Sequence, residues 1–209
     1  MKYDPKKHHR HSIRMKGYDY TQPGVYFVTI CTDNRECLFD DPVLRRVVET
    51  YWRAIPRHAT HVALDAWVVM PNHLHGIVVI EDYAATVGAR HSSPIARLTN
   101  EPPSPATDAK MERPRGNALP LPGSLGAIVG NFKSITTRRI NRIRHTPGME
   151  VWQRNYYEHV IRNERALERI RGYIISNPLS WDSDIENPAN SQGGRRMDAA
   201  SYYDAIWKE

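Results

Sequence analysis

An α+β fold, with an antiparallel sheet and helices packed on one of its faces, is what the sequence predicts, and three observations carry the prediction. Apolar residues recur with the period of a strand in some segments and of a helix in others, each segment bounded by turn residues or prolines. The elements run strand, helix, strand, strand, insertion, helix, strand, helix, an order that suits helices covering a mainly antiparallel sheet. The chain has 209 residues, 40% of them apolar. That is enough for one domain, since a single core organises roughly 100–150 residues.

Residues 1–24 form a basic N-terminal segment, with a cationic run from Lys2 to Lys16. Residues 25–32, Val-Tyr-Phe-Val-Thr-Ile-Cys-Thr, are β-branched and aromatic and follow the breaker pair Pro23-Gly24, so they are predicted as the first strand. Asp40 and Asp41 supply a helix cap before Pro42, and Val43, Leu44, Val47, Val48, Tyr51, Trp52 and Ile55 then recur at helical spacing until Pro56. Residues 61–70 and 73–80 are two apolar runs parted by Pro71-Asn72, too short and too β-branched for helices, and read as a hairpin.

Between 83 and 123 the periodicity vanishes and seven of the fifteen prolines fall, which marks an inserted loop within a domain spanning 25–182. Ser124 caps a second helix with the stripe Leu125, Ile128, Val129, Phe132, Ile135, Ile140 and Ile143. Residues 150–161 read as another strand. Asn163-Glu164 opens a third helix with Leu167, Ile170 and Ile174 inside, stopped by Pro178. Residues 183–209 read as a polar tail with one short amphipathic stretch, Tyr202, Tyr203, Ile206 and Trp207.

The formal charge is +6 and the pI about 9.4, and the cations cluster, which favours a phosphate-rich partner while leaving a solvated helix face as the plainer alternative. The second cluster, Lys133, Arg138, Arg139, Arg142 and Arg144, sits mostly off the apolar stripe of its helix. No apolar run approaches the roughly 20 residues that cross a bilayer, and no apolar signal core follows the first cations, so the expectation is a cytoplasmic protein with no membrane partner. Cys31 and Cys37 are expected as reduced thiols.

Three groups of residues could do chemistry. His73 and His75 lie two apart on a strand and present both imidazoles to one side, with Leu74 turned to the other. That is half of a metal site or, on spacing alone, a structural pair. Tyr173 and Asn177 lie four apart on one helical face, where a hydroxyl and an amide could meet one ligand, or could serve as a rim tyrosine and a polar helix end. The run from Trp152 to Arg162 mixes aromatics with Arg154, Glu158, His159 and Arg162, which suits either a nucleic-acid groove or an edge strand guarded by charge.

These segments together carry a resemblance. Gly24-Val25-Tyr26-Phe27-Val28-Thr29, then Trp67-Val68-Val69-Met70-Pro71-Asn72-His73-Leu74-His75, then Trp152-Gln153 and Glu158-His159-Val160-Ile161-Arg162, and last Tyr173-Ile174 with Asn177-Pro178 resemble the REP-associated tyrosine transposases. These belong to the insertion-sequence-200-like family of single-tyrosine HUH enzymes. The likeness runs in one order from about Gly17 to Trp181, broken by the proline-rich insertion.

The resemblance implies the ferredoxin/RRM-like fold of HUH nucleases and a metal-dependent enzyme that cleaves and rejoins single-stranded or hairpin, REP-like DNA. It implies His73 and His75 as ligands of Mg²⁺ or Mn²⁺, Tyr173 as nucleophile, and Asn177 where a helix side chain completes the metal sphere. The wider family often carries glutamine there, one methylene longer. Lys133, Arg138, Arg139, Arg142, Arg154, His159 and Arg162 are the expected DNA contacts, and Tyr156 and Tyr157 are the rival nucleophiles. A monomer is expected, with a homodimer as the alternative, in the cytoplasm and on the nucleoid when bound to DNA. The competing readings are a non-catalytic hairpin-binding autoregulator and a hydrolase whose histidines activate water.

Overall fold

The computed structural model describes residues 22–81, 120–191, 201–203 and 206. The cationic run from Lys2 to Lys16 and most of the proline-rich insertion lie outside them. Four strands, β1 (Gly24–Cys31), β2 (Val62–Val69), β3 (His73–Ile80) and β4 (Tyr157–Ile161), form one sheet in the order β2-β3-β1-β4. Every pairing is antiparallel, as the sequence predicts. The expected strand over 150–161 is confined to its last five residues, while Trp152 makes a separate bridge to Thr32 and its indole donates to the Thr136 hydroxyl at 2.9 Å.

The helix starts follow local chemistry. Asp41 accepts from the backbone N–H of Val43 at 2.7 Å and opens α1 (Pro42–Arg53), with the proline in its first turn, where an N–H would have no partner. A short α2 (Ile55–His58) follows. Ser124 caps α3 (Leu125–Arg144), which ends at His145 in left-handed backbone, φ 57°. Asn163 accepts from Ala166 N at 2.8 Å and caps α4 (Glu164–Ser176), which tightens into a 3₁₀ turn from Asn177 across Pro178.

Helices occupy both faces of the sheet, a correction to the one-face arrangement expected. The cause is visible in β1 and β3: β3 is buried at every position and β1 at all but its first, so each face presents apolar side chains that need a cover. Tyr26, Val28, Ile30, Leu74 and Val78 pack with Leu44, Val48 and Trp52 of α1 and the stripe of α3. On the other face Val25, Phe27, Ile77 and Val79 pack with Tyr157, Ile161, Leu167, Ile170 and Ile174, so α4 covers that side. Gly76 is required by the first layer, because a Cβ there would collide with the Trp52 ring.

The segment expected as a polar tail also packs. Asp184, Glu186 and Asn187 are buried beside the start of β3, and Tyr203 is fully buried in the second layer.

Candidate functional site

The site grows from the N-terminal end of β3. Pro71-Asn72 turns the chain into the strand, and the register sets His73 opposite Cys31 and His75 opposite Thr29. Strand alternation then directs both imidazoles toward the α4 layer and Leu74 toward the other core. Both histidines are fully buried, and their Nε2 atoms stand 3.0 Å apart. Each Nδ1 has its own partner: Asn72 Oδ1 at 2.8 Å from His73, and the Thr29 hydroxyl at 2.9 Å from His75. Burial lowers the His75 pKa to about 3, and burial with the neighbouring His75 and Arg35 pulls that of His73 well below its ordinary value. At neutral pH both rings are uncharged, the state in which imidazole binds a metal.

α4 brings the second pair. Its apolar stripe seats Ile170 and Ile174 in the core, which leaves Tyr173 on the flank facing the histidines. The Tyr173 hydroxyl lies 3.4 Å from His75 Nε2, and its ring meets Phe27 and Tyr203 edge-on, with centroids 6.3 and 6.2 Å away. Burial, with the Asp184 charge adding to it, pushes the Tyr173 pKa far above that of free tyrosine. Asn177, one helical turn on, is buried, and its Nδ2 donates to Asp184 Oδ2 at 2.9 Å. Its Oδ1 is buried with no hydrogen-bond partner among the described residues.

Asp184 was not anticipated. Ligand atoms of His73, His75 and Asp184 all lie within 4.8 Å of one another, so a carboxylate faces the two imidazoles. Burial raises its pKa, with the Asn177 amide and Arg35 pulling the other way. Two neutral nitrogens and a carboxylate make a mixed donor set that fits a divalent cation, and the Asn177 amide is hydrogen-bonded to that carboxylate. Thr29 and Asn72, which hold the two imidazoles by hydrogen bonds, were also missed. The signal for Asp184 was the polar group Asp184, Glu186 and Asn187 beside Trp181 and Ile185, in a segment with no strand or helix period to flag it.

The expected DNA contacts divide. Arg138, Arg139 and Arg142 are exposed on α3, the helix of the face opposite the histidines, and Arg154 and Arg162 are exposed beside β4. His159 is half-buried, paired in register with Phe27. Lys133 is corrected: its ammonium group donates to the carbonyls of Gln153 and Arg154, at 3.0 Å for the second, and burial lowers its pKa to about 8. It ties α3 to the 153–154 segment instead of facing outward. Of the rival nucleophiles, Tyr157 packs its ring on Tyr203 with centroids 4.7 Å apart, and Tyr156 turns to the α1–α3 layer.

Fold and site together define an α+β protein with a candidate divalent-cation centre beside a helix-borne tyrosine. The chain belongs to the same family as a Haemophilus influenzae protein recorded as uncharacterized, which is 36% identical over 191 residues, covering 88% of this chain and 96% of that protein. No protein-family model matches it. Among solved structures it is similar to a REP-associated tyrosine transposase bound to a REP hairpin, at a TM-score of 0.43 and 18% identity, over 90% of this chain and 96% of that one. It is also similar to a Deinococcus radiodurans protein assigned as a transposase, at a TM-score of 0.41 and 18% identity, over 79% of this chain and 96% of that one. Among the described residues no helix is long and apolar enough to cross a membrane.

Proposed function

We propose that the protein is a metal-dependent tyrosine transposase, a nuclease and strand transferase that cleaves and rejoins single-stranded, REP-like hairpin DNA. The observation that carries this reading is the meeting of two neutral imidazoles and a carboxylate beside the hydroxyl of Tyr173. A divalent cation, Mg²⁺ or Mn²⁺, held by His73, His75 and Asp184 with Asn177 completing the set, would draw charge from the non-bridging oxygens of a phosphodiester and ease departure of its 3′ oxygen.

The remaining work falls to the chain. Phe27 and Tyr203 hold the Tyr173 ring edge-on, which fixes the line from its hydroxyl to the histidines. Tyr173 keeps its proton at neutral pH, so its oxygen becomes an effective nucleophile only as that proton leaves. The bond from the Tyr173 oxygen to phosphorus forms while the bond to the 3′ oxygen breaks, and the proton ends on that oxygen. The products are a 5′-phosphotyrosine and a free 3′-hydroxyl. One phosphodiester replaces another, so a different 3′-hydroxyl can reverse the step and join a new strand without a nucleotide cofactor. The substrate class follows from the sequence resemblance, and the exposed Arg138, Arg139, Arg142, Arg154 and Arg162 offer cations for its phosphates.

The test is incubation with a labelled single-stranded hairpin from the flanks of the gene and Mn²⁺, resolved on a denaturing gel. Wild type should give a protein-linked band that maps to Tyr173 by mass spectrometry, and Tyr173→Phe and His73→Ala should give none. Cleaved DNA with no protein-linked label would mean water is the nucleophile and would overturn the reading.

A further inference from the structure

We propose that Asn72 is a positioning residue that presets His73 as a metal ligand, holding the imidazole proton on Nδ1 so that the Nε2 lone pair faces the cation position. The proposal rests on the metal-centre reading above. The neighbours of Asn72 fix which way its amide points. Asn72 Nδ2 stands 3.1 Å from the Arg35 carbonyl and 2.7 Å from the Glu186 carbonyl, two acceptors that only an NH₂ group can satisfy. Oδ1 is thereby turned to His73 Nδ1 at 2.8 Å, and an amide oxygen only accepts. His73 must donate from Nδ1, and a neutral imidazole carries one such proton.

His75 differs. Its Nδ1 partner is the Thr29 hydroxyl, which can rotate to donate or accept. The two settings explain how two neutral rings tolerate Nε2 atoms 3.0 Å apart in a dry interior. Without a cation, His75 donates its Nε2–H to the bare Nε2 of His73, and Thr29 donates to His75 Nδ1. Were His75 to hold a cation through Nε2, its proton would reside on Nδ1 and the rotated hydroxyl would accept it. One ligand is fixed and the other adapts.

Asn72 joins three pieces of chain through its side-chain amide and its main-chain carbonyl. The Asn72 carbonyl accepts from the Thr32 N–H at 2.8 Å and its hydroxyl at 3.0 Å, at the end of β1. Arg35, in left-handed backbone at φ 56°, gives its carbonyl to Asn72 and its guanidinium to the buried Glu186 carboxylate. The bond to the Glu186 carbonyl anchors the segment that supplies Asp184. Asn72 thus sets the His73 proton and the Asp184 approach from one point.

The experiment uses the full-length protein with Asn72→Ala and Asn72→Asp, read by NMR of the imidazole nitrogens and by Mn²⁺ titration. Metal-free wild type should show His73 protonated on Nδ1. Asn72→Ala should mix the two tautomers and lower Mn²⁺ affinity roughly 10–100-fold. Asn72→Asp keeps an acceptor opposite Nδ1 but loses both donated bonds, so it should melt below wild type yet hold the Nδ1 proton and bind Mn²⁺ more tightly than Asn72→Ala. An unchanged tautomer in Asn72→Ala, or equal weakening in both variants, would overturn the role of Asn72. If Asn72→Ala does not fold, the aspartate variant decides, and loss of its Nδ1 proton overturns the proposal. Wild type that binds no Mn²⁺, with His73 still protonated on Nδ1, overturns the metal-centre reading instead.

Discussion

At His75 the folded chain holds an imidazole whose pKa has dropped to about 3, against about 6.5 in an open chain. Between those values the unfolded chain binds a proton that the folded chain refuses, so stability falls as pH drops below about 6.5. At pH 5 the difference at His75 is about 2 kcal/mol, and His73 adds to it in the same direction. Urea unfolding of metal-free protein should therefore show a clear loss from pH 7 to pH 5, with a smaller loss in His75→Gln. Equal losses in both proteins would contradict the burial argument. On the proposed function, Asp184→Ala should weaken Mn²⁺ binding more than Asn177→Ala, for which about 10–100-fold is expected. At this scale, spacing together with the resemblance singled out His73, His75, Tyr173 and Asn177, and the fold brings these four side chains to one place. Thr29, Asn72 and Asp184 were not legible, because the register of β1 on β3 and an aperiodic segment bring them in. Lys133 was misread because a cation off the apolar stripe looks solvent-facing until the carbonyls of 153–154 arrive above it.

The element that positions Tyr173 is α4, and one ion pair ties it to the sheet. Arg171, two residues before Tyr173, donates to Asp65 through Nη2 at 2.6 Å and Nε at 3.0 Å, and pairs also with Glu168. Asp65 sits where β2 shifts register between Leu64 and Trp67, so the irregularity aims its carboxylate at the helix. The guanidinium bond holds the Asp65 carboxyl below the usual range although burial opposes it. Asp65→Asn should cost about 1 kcal/mol, since the pair is partly solvated. It should also slow adduct formation at Tyr173 while Mn²⁺ affinity stays within a few-fold of wild type. Unchanged adduct kinetics would show that α4 is held by its apolar stripe alone. The three main helices and all four strands were legible as periodic segments. Their division between two faces was not, because a central strand buried on both sides reads as a continuous apolar run that does not say how many layers cover it.

Across the whole molecule, the α3 arginines and the candidate site occupy different faces: Arg138, Arg139 and Arg142 ride on α3, while the histidines lie beneath α4, which carries Tyr173. Removing any of these arginines that meets a phosphate should reduce the salt-dependence slope of hairpin binding by about one unit. Lys133→Ala should leave that slope alone and lower the melting temperature, and a changed slope would return Lys133 to the DNA. The spread of the site along the chain has a temporal side. Among the described residues the last strand of the sheet ends at Ile161, but the carboxylate facing the two imidazoles is Asp184, and one of the rings against His75 is Tyr203. Synthesis runs from the N-terminus, so a nascent chain owns a finished sheet before it owns a finished centre. On the proposed function, the ability to cut DNA arises only once the segment through Asp184 has been made and has folded onto the sheet.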